Sequence, residues 1–221
     1  MNFSFERSAS LPADNIFFNK VLGYFGLALL VSAFGVFAGF QFASIIMSKG
    51  FYFLAFIIEL GLVFTARSWS QNLPLGYFLF ALFAFISGIT AVPILAFAGA
   101  VGGAPLIGKA LLATTATFIA AAIVGATTKR NLSGLGGILS ISIIGMIVVS
   151  LIGFFIPWGS GFEMLFAGFG VIIFSIYTAY DFQKIRSNQQ GESALTAAMS
   201  LYLDIFNIFL FILRLMISLR N

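Results

Sequence analysis

The chain has 221 residues, of which 61% are hydrophobic and only 8% are charged, and its formal net charge is +4 at pH 7. An ordinary soluble domain carries roughly a quarter charged residues, so this composition excludes a water-soluble globular protein and indicates a surface solvated mostly by lipid. The absence of cysteine and histidine excludes disulfides, Cys- or His-ligated metal sites and Ser-His catalysis. The basic residues are scattered at predicted helix ends, so we expect no nucleic-acid partner.

The apolar runs predict an all-α membrane protein with seven transmembrane helices, because one span needs about 20 apolar residues. The polar N-terminal segment 1–15 lacks the features of a cleaved signal peptide, and residues 16–221 form a single transmembrane domain. Breaks rich in Gly, Pro, Ser or charge separate the helices, so sequence neighbours are antiparallel. In chain order, the predicted helices cover residues 20–42, 51–67, 75–98, 109–127, 135–157, 162–184 and 194–219.

The Lys and Arg residues are distributed unequally between the two ends of these helices. Short cytoplasmic loops carry an excess of Lys and Arg, so the richer side and the N-terminus are predicted to be cytoplasmic. Seven full spans place the C-terminus outside, whereas a re-entrant last helix would return it inside. The richer side holds Arg7, Lys20, Arg67, Lys129, Arg130, Lys184 and Arg186, and the other side holds Lys49, Lys109 and Arg220.

Five ionisable residues interrupt the apolar runs: Glu59 and Arg67 on helix two, Asp181 on helix six, and Asp204 and Arg214 on helix seven. A charge at the bilayer centre costs about 2.5–3.5 kcal/mol on insertion scales, and such charges usually mark a pathway or relay. Arg67 with Asp204, and Glu59 with Arg214, fall into one register between two antiparallel helices. We therefore expect both pairs to form inside the bundle, either as structural ion pairs or as the lining of a pathway.

Asp181 is expected at the cytoplasmic end of the same cluster as Asp204. Two carboxyl groups in one desolvated site cannot both ionise cheaply, so they are expected to share a proton, with Arg67 as a competing partner. The alternative is that Asp181 faces the cytoplasmic interface beside Lys184 and is only structural. Candidates for a polar lining near the two aspartates are Asn207, Tyr177 and Ser200.

Four segments resemble one known family, the transmembrane Bax inhibitor motif family. The segments 174–185 (FSIYTAYDFQKI) and 198–214 (AMSLYLDIFNIFLFILR) look like its last two helices. Residues 127–137 (TTKRNLSGLGG) are similar to its loop between helices four and five, and residues 91–95 (AVPIL) to part of its helix three. That loop usually carries Asp where this chain has Asn131. The resemblance spans nearly the whole chain and points to a bacterial member.

The resemblance implies two three-helix layers around a central C-terminal helix, and a pH-sensitive calcium leak. It further implies that Asp181 and Asp204 are the pH sensor and that Arg67 is the latch. The same aspartates are the expected weak and transient ligands of Ca²⁺, which is the transported ion rather than a cofactor, and no resident cofactor is expected. Besides lipid, the implied partners are Ca²⁺ and protons.

Two other functions compete with a leak. Bacterial relatives suggest a non-transporting regulator that binds and restrains a membrane protease or another membrane protein. An intramembrane aspartyl protease is disfavoured, because Asp204 lacks the Gly-x-Gly-Asp context and no Pro-Ala-Leu motif follows. We therefore expect no enzyme. The short termini and minimal loops indicate the bacterial inner membrane, with an internal eukaryotic membrane as the alternative.

Overall fold

The computed structural model describes residues 13–187 and 192–220, and every regular element within them is helical. This confirms the predicted all-α fold. The predicted polar segment 1–15, with Arg7, lies outside the described residues except for 13–15, which begin the first helix. The helices are α1 (Ala13–Gln41), α2 (Ala43–Ile46), α3 (Lys49–Trp69), α4 (Leu73–Thr90), α5 (Val92–Thr127), α6 (Gly136–Phe155), α7 (Ser160–Ser187) and α8 (Ala194–Ser218), with a 3₁₀ turn at Ser133–Leu135.

The third predicted helix, 75–98, differs from the observed structure. Helix α4 ends at Thr90 and α5 begins at Val92, with Pro93 in its first turn. Proline has no backbone N–H to continue the helix before it, whereas a first turn leaves that N–H unused in any case. The glycine-rich loop expected after residue 98 is helical except at Gly103, whose φ of 66° interrupts α5. Only glycine adopts this φ without strain.

The interruption at Gly103 decides the number of spans. Six stretches of the described residues are long and apolar enough to cross a membrane, and one of them, Leu73–Thr127, has 55 residues. At 1.5 Å per residue it would be about 82 Å long, against a hydrocarbon core of about 30 Å. This stretch therefore supplies two spans that meet at the Gly103 break, which brings the described residues to seven spans.

The spans form two groups of three around α8. Helix α4 packs against α1 and α3, and α7 packs against α5 and α6. Helix α8 contacts members of both groups, namely α1, α4, α5 and α7. Twelve of its 25 residues are buried, compared with two of 20 in the peripheral helix α6. The last helix is thus the central one, as predicted.

The outward faces of the bundle are apolar. Large aliphatic side chains such as Leu112 on α5, Ile141 on α6 and Leu165 on α7 are exposed, by 74%, 73% and 72%. In water a protein with such a surface would aggregate, whereas in a bilayer this surface is solvated by lipid. The molecule is an integral membrane protein whose few polar side chains are concentrated inside and at the helix ends.

Candidate functional site

Two buried carboxyl groups lie on neighbouring helices. Asp181 on α7 is 4% exposed and Asp204 on α8 is 2% exposed. In each of them the Oδ2 atom has no hydrogen-bond partner. The two side chains are within electrostatic range of each other. Because polar groups buried without partners are costly, this pair is the most unusual feature of the core.

Each aspartate faces a hydroxyl group on the opposite helix. The Ser200 side chain on α8 lies near Asp181, and the Thr178 side chain on α7 lies near Asp204. Thr178 Oγ1 donates its only hydrogen to the carbonyl oxygen of Phe174, 2.8 Å away. Toward Asp204 it can therefore only accept a hydrogen bond, which a protonated carboxyl group can supply and a carboxylate cannot.

Both aspartates line a partly open cavity of about 830 Å³ bounded mainly by α3, α4, α6, α7 and α8. At the Lys49 end of α3, Tyr52 and Phe53 pack on Phe154 of α6, with ring centroids 6.3 and 5.6 Å apart. The walls are mostly aliphatic and aromatic, so the polar groups stand out. Those groups include seven of the eight predicted site residues, Glu59, Tyr177, Asp181, Ser200, Asp204, Asn207 and Arg214, and lack only Arg67.

Glu59 and Arg214 share the cavity but do not form the expected ion pair in this structure. Thr90 Oγ1 donates to the Glu59 carboxylate, at 3.2 Å from Oε1 and 3.4 Å from Oε2. Arg214 is exposed, and its guanidinium carbon lies 5.8 Å from the centroid of the Phe211 ring. Because α3 packs on α4 rather than along α8, the nearest hydrogen-bond donor for Glu59 comes from α4.

Arg67 is exposed and makes no ion pair within residues 13–187 and 192–220. The reason is the axial register between α3 and α8. Thr196 Oγ1 donates to Ser70 Oγ at 2.7 Å, which fixes the end of α3 beside the first turn of α8. In this antiparallel arrangement Arg67 lies level with about residue 199, roughly 7.5 Å short of Asp204 along the axis. The contact of Arg67 with Asp204 is thus absent here, and its role as a latch stays a prediction.

Several polar residues of the site are not among those predicted from the sequence. Thr90 holds Glu59, Thr178 faces Asp204, and Ser140 Oγ lies 3.3 Å from the hydroxyl of Tyr177. Hydroxyl groups inside apolar helices cost little because they can bond to their own helix backbone, so they do not stand out in a sequence. The spacing of three between Thr178 and Asp181, which puts both on one face of α7, was the available signal.

The carboxyl groups of the cavity determine how a cation would be held there. In the described part of the chain no three acidic residues converge on one point. Of the acidic residues that line the cavity, Glu59, Glu163, Asp181 and Asp204, the two aspartates lie within electrostatic range of each other. Calcium takes about six to eight oxygen ligands. An ion between these two side chains would therefore keep most of its water, which suits an ion in transit better than a tightly held one.

Together these features define a multi-pass helical membrane protein with a buried aspartate pair beside a partly open cavity. The sequence profile of the family described as "Inhibitor of apoptosis-promoting Bax1" matches residues 14–221, and the chain belongs to this family. The predicted resemblance is thereby confirmed.

Individual relatives agree with this assignment. An uncharacterized protein of Helicobacter pylori strain J99 is 37% identical over 197 residues, covering 87% of this chain and 82% of its own. An uncharacterized membrane protein of Streptococcus pyogenes serotype M1 is 34% identical over 216 residues, covering 91% and 92%. The protein "Bax inhibitor 1" of Schizosaccharomyces pombe is 30% identical over 170 residues, covering 77% of this chain and 61% of its own.

Proposed function

We propose that this protein is a pH-sensitive leak for calcium or a similar cation in the bacterial inner membrane, and that it has no enzymatic activity. The observation that carries the proposal is the pair Asp181 and Asp204, buried on adjacent helices and facing one cavity. Neither aspartate has a cationic partner within ion-pair distance among the described residues. A buried acidic pair of this kind is a functional feature more often than a stabilising one.

The pair is suited to bind one proton. Two like charges in a desolvated site cannot both persist, so the pair favours a state with a single shared proton. Thr178 supports that state, because its hydroxyl oxygen is free to accept from a protonated Asp204 while its hydrogen is committed to Phe174. Adding or removing one proton thus changes the hydrogen bonding between α7 and the central helix α8.

Arg67 is the proposed latch of a second, closed state. It would reach Asp204 by a shift of α3 relative to α8 of about 7.5 Å, five residues of helix rise, which requires the hydrogen bond between Thr196 and Ser70 to break. An ionised Asp204 attracts the guanidinium, whereas a protonated one does not. Proton uptake therefore favours the unlatched arrangement, and we expect cation flux to rise as the pH falls.

The test is calcium flux into proteoliposomes between about pH 8 and pH 6, because two coupled carboxyl groups exchange protons as a pair when the pH changes. Wild type should conduct more at the lower pH, and Asp204→Asn should lose most of this dependence, since an amide cannot titrate. Asp181→Asn should do the same. Glu6→Gln, which removes a carboxylate from the polar segment before the predicted transmembrane domain, is the control and should keep the pH response.

A wild-type flux that is constant across this range would refute the proposal, and so would an unchanged response in Asp204→Asn. A protein that conducts nothing, yet co-purifies in equal amounts with a membrane protease, would favour the non-transporting regulator instead.

A further inference from the structure

One ion pair lies near the end of the bundle where α7 ends and α8 begins. Lys184 Nζ lies 2.7 Å from Glu192 Oε2, and the side chains are 21% and 24% exposed. Within residues 13–187 and 192–220 no other ion pair forms, although several other Lys and Arg side chains are present. Neither residue belongs to the sensor or the latch proposed above.

The position of this pair relative to the aspartates is informative. Lys184 lies one turn beyond Asp181 on α7, about 4.5 Å along the axis. Glu192 precedes the N-cap of α8, Ser193, and lies two turns before Ser200, which lines the cavity. Both charges are within electrostatic range of Asp181. A cation that moved from the cavity past Asp181 toward this end of the bundle would therefore come within electrostatic range of Lys184 and Glu192.

We infer that Lys184 and Glu192 form a charge-balanced mouth that sets how readily cations pass between the aspartate cavity and this end of the bundle. The inference rests on the proposed leak function. Lys184 is a fixed positive charge that opposes a cation in a partly desolvated passage, and Glu192 cancels most of its field at 2.7 Å. The pair is thus a specificity element for charge, separate from the proton-binding pair.

The two charges must act in opposite directions. Removing the lysine alone leaves Glu192 to concentrate cations at the mouth, whereas removing the glutamate alone leaves Lys184 to repel them. A pair that only tied α7 to α8 would behave differently, because losing either partner would break the same bond and shift flux in the same direction. The sign of the two effects therefore separates a role in permeation from a purely structural one.

The experiment exploits the absence of native cysteine. Lys184→Cys and Glu192→Cys are reconstituted separately, and calcium flux is measured before and after modification with methanethiosulfonate reagents that attach either an ethylammonium or an ethylsulfonate group. Lys184→Cys should raise flux by about tenfold, at the low end of what charge-lined clefts achieve. Ethylammonium should return it toward the wild-type value, and ethylsulfonate should raise it further.

Glu192→Cys should lower flux, and ethylsulfonate should restore it. The double variant Lys184→Gln/Glu192→Gln should stay within about twofold of wild type, and all differences should shrink in high salt. Equal changes with both reagents, or single variants that shift flux in the same direction, would overturn the inference alone. A wild-type protein without calcium flux would overturn it together with the proposed function.

Discussion

Thr90 shows how a single hydroxyl group can stabilise an acidic residue inside the bundle. It comes from α4, and its single hydroxyl hydrogen can be donated to the carboxyl group of Glu59 on α3, at 3.2 and 3.4 Å, or to the carbonyl oxygen of Ser87, at 3.1 Å. Bonds to a charged acceptor are stronger than bonds between neutral groups. Thr90 therefore links α3 to α4 at a point where no cation serves Glu59 within the described part of the chain.

The residue-scale prediction concerns this link. Thr90→Val keeps the side-chain shape but removes the donor, and a double-mutant cycle with Glu59→Ala should give a coupling free energy of unfolding of about 1 kcal/mol. The measurement is equilibrium unfolding in detergent. Thr115→Val is the matched control, because Thr115 is exposed and bonds only to Leu111 of its own helix. It should change the free energy of unfolding by less than about 0.5 kcal/mol. Additive effects of Thr90→Val and Glu59→Ala would contradict the assigned hydrogen bond.

Which residues of the site can be predicted depends on the free-energy cost of placing each residue type in a transmembrane helix. Asp181, Asp204 and Glu59 could be selected from the sequence because a charge in an apolar run is expensive. The hydroxyl groups that face them could not be selected in this way, since Thr90 and Thr178 are as acceptable in an ordinary transmembrane helix as any small residue. The sequence identifies the charged groups of the cavity, and the structure is needed to find the neutral groups that control them.

Close helix contacts depend on glycines that face a neighbouring backbone. Gly88 of α4 lies against the backbone of Ser32, and Gly35 of α1 lies against that of Phe85, so the two helices approach each other reciprocally. Gly125 of α5 lies against the carbonyl group of Ala179 on α7. Small residues at such crossings allow the close packing that stabilises helices in lipid.

The element-scale prediction compares two glycines of α5. Gly125→Ala places a methyl group against the backbone of Ala179, which cannot move aside, and should lower the free energy of unfolding by about 1–3 kcal/mol. Gly108→Ala adds the same methyl group where nothing lies within 4 Å, and should change the free energy by less than about 0.5 kcal/mol. Chemical unfolding of both variants in one detergent is the measurement. Equal effects would show that helix propensity rather than packing is being measured.

The boundaries of the elements show which sequence signals were ambiguous. A cluster of Gly and Pro between residues 99 and 108 predicts a loop, yet only Gly103 leaves the helical region. Composition cannot distinguish a loop from a one-residue break, because glycine permits both conformations. The first helix begins at Ala13 rather than residue 20, since polar residues at a helix start remain helical when they lie outside the apolar span.

At the scale of the whole molecule, the distribution of Lys and Arg between the helix ends predicts the orientation in the membrane. Gln71 lies between α3 and α4, at the end predicted to be cytoplasmic, and Gly159 lies between α6 and α7, at the opposite end. In the cysteine-free background, Gln71→Cys should react with an impermeant thiol reagent only from the inside, and Gly159→Cys only from the outside. Labelling of both positions from one side would contradict the seven-span arrangement.

The global arrangement was predicted better than the register between distant helices. Seven spans with a central last helix follow from span length and from the resemblance of the sequence. The offset between α3 and α8 does not, because it is fixed by the contact of Ser70 with Thr196 and by the packing of Leu195 on Gly76. No regular spacing in the sequence encodes such a contact between segments over 120 residues apart.

The anchoring of α3 at one end has a mechanical consequence. With Ser70 as the fulcrum, the helix is a lever of 21 residues, about 31 Å long, and a tilt of about 10° would move its far end by about 5 Å. That end carries Tyr52 and Phe53, whose rings rest on Phe154 across the cavity. A small rotation of α3 near Arg67 would therefore move the rings of Tyr52 and Phe53 away from Phe154.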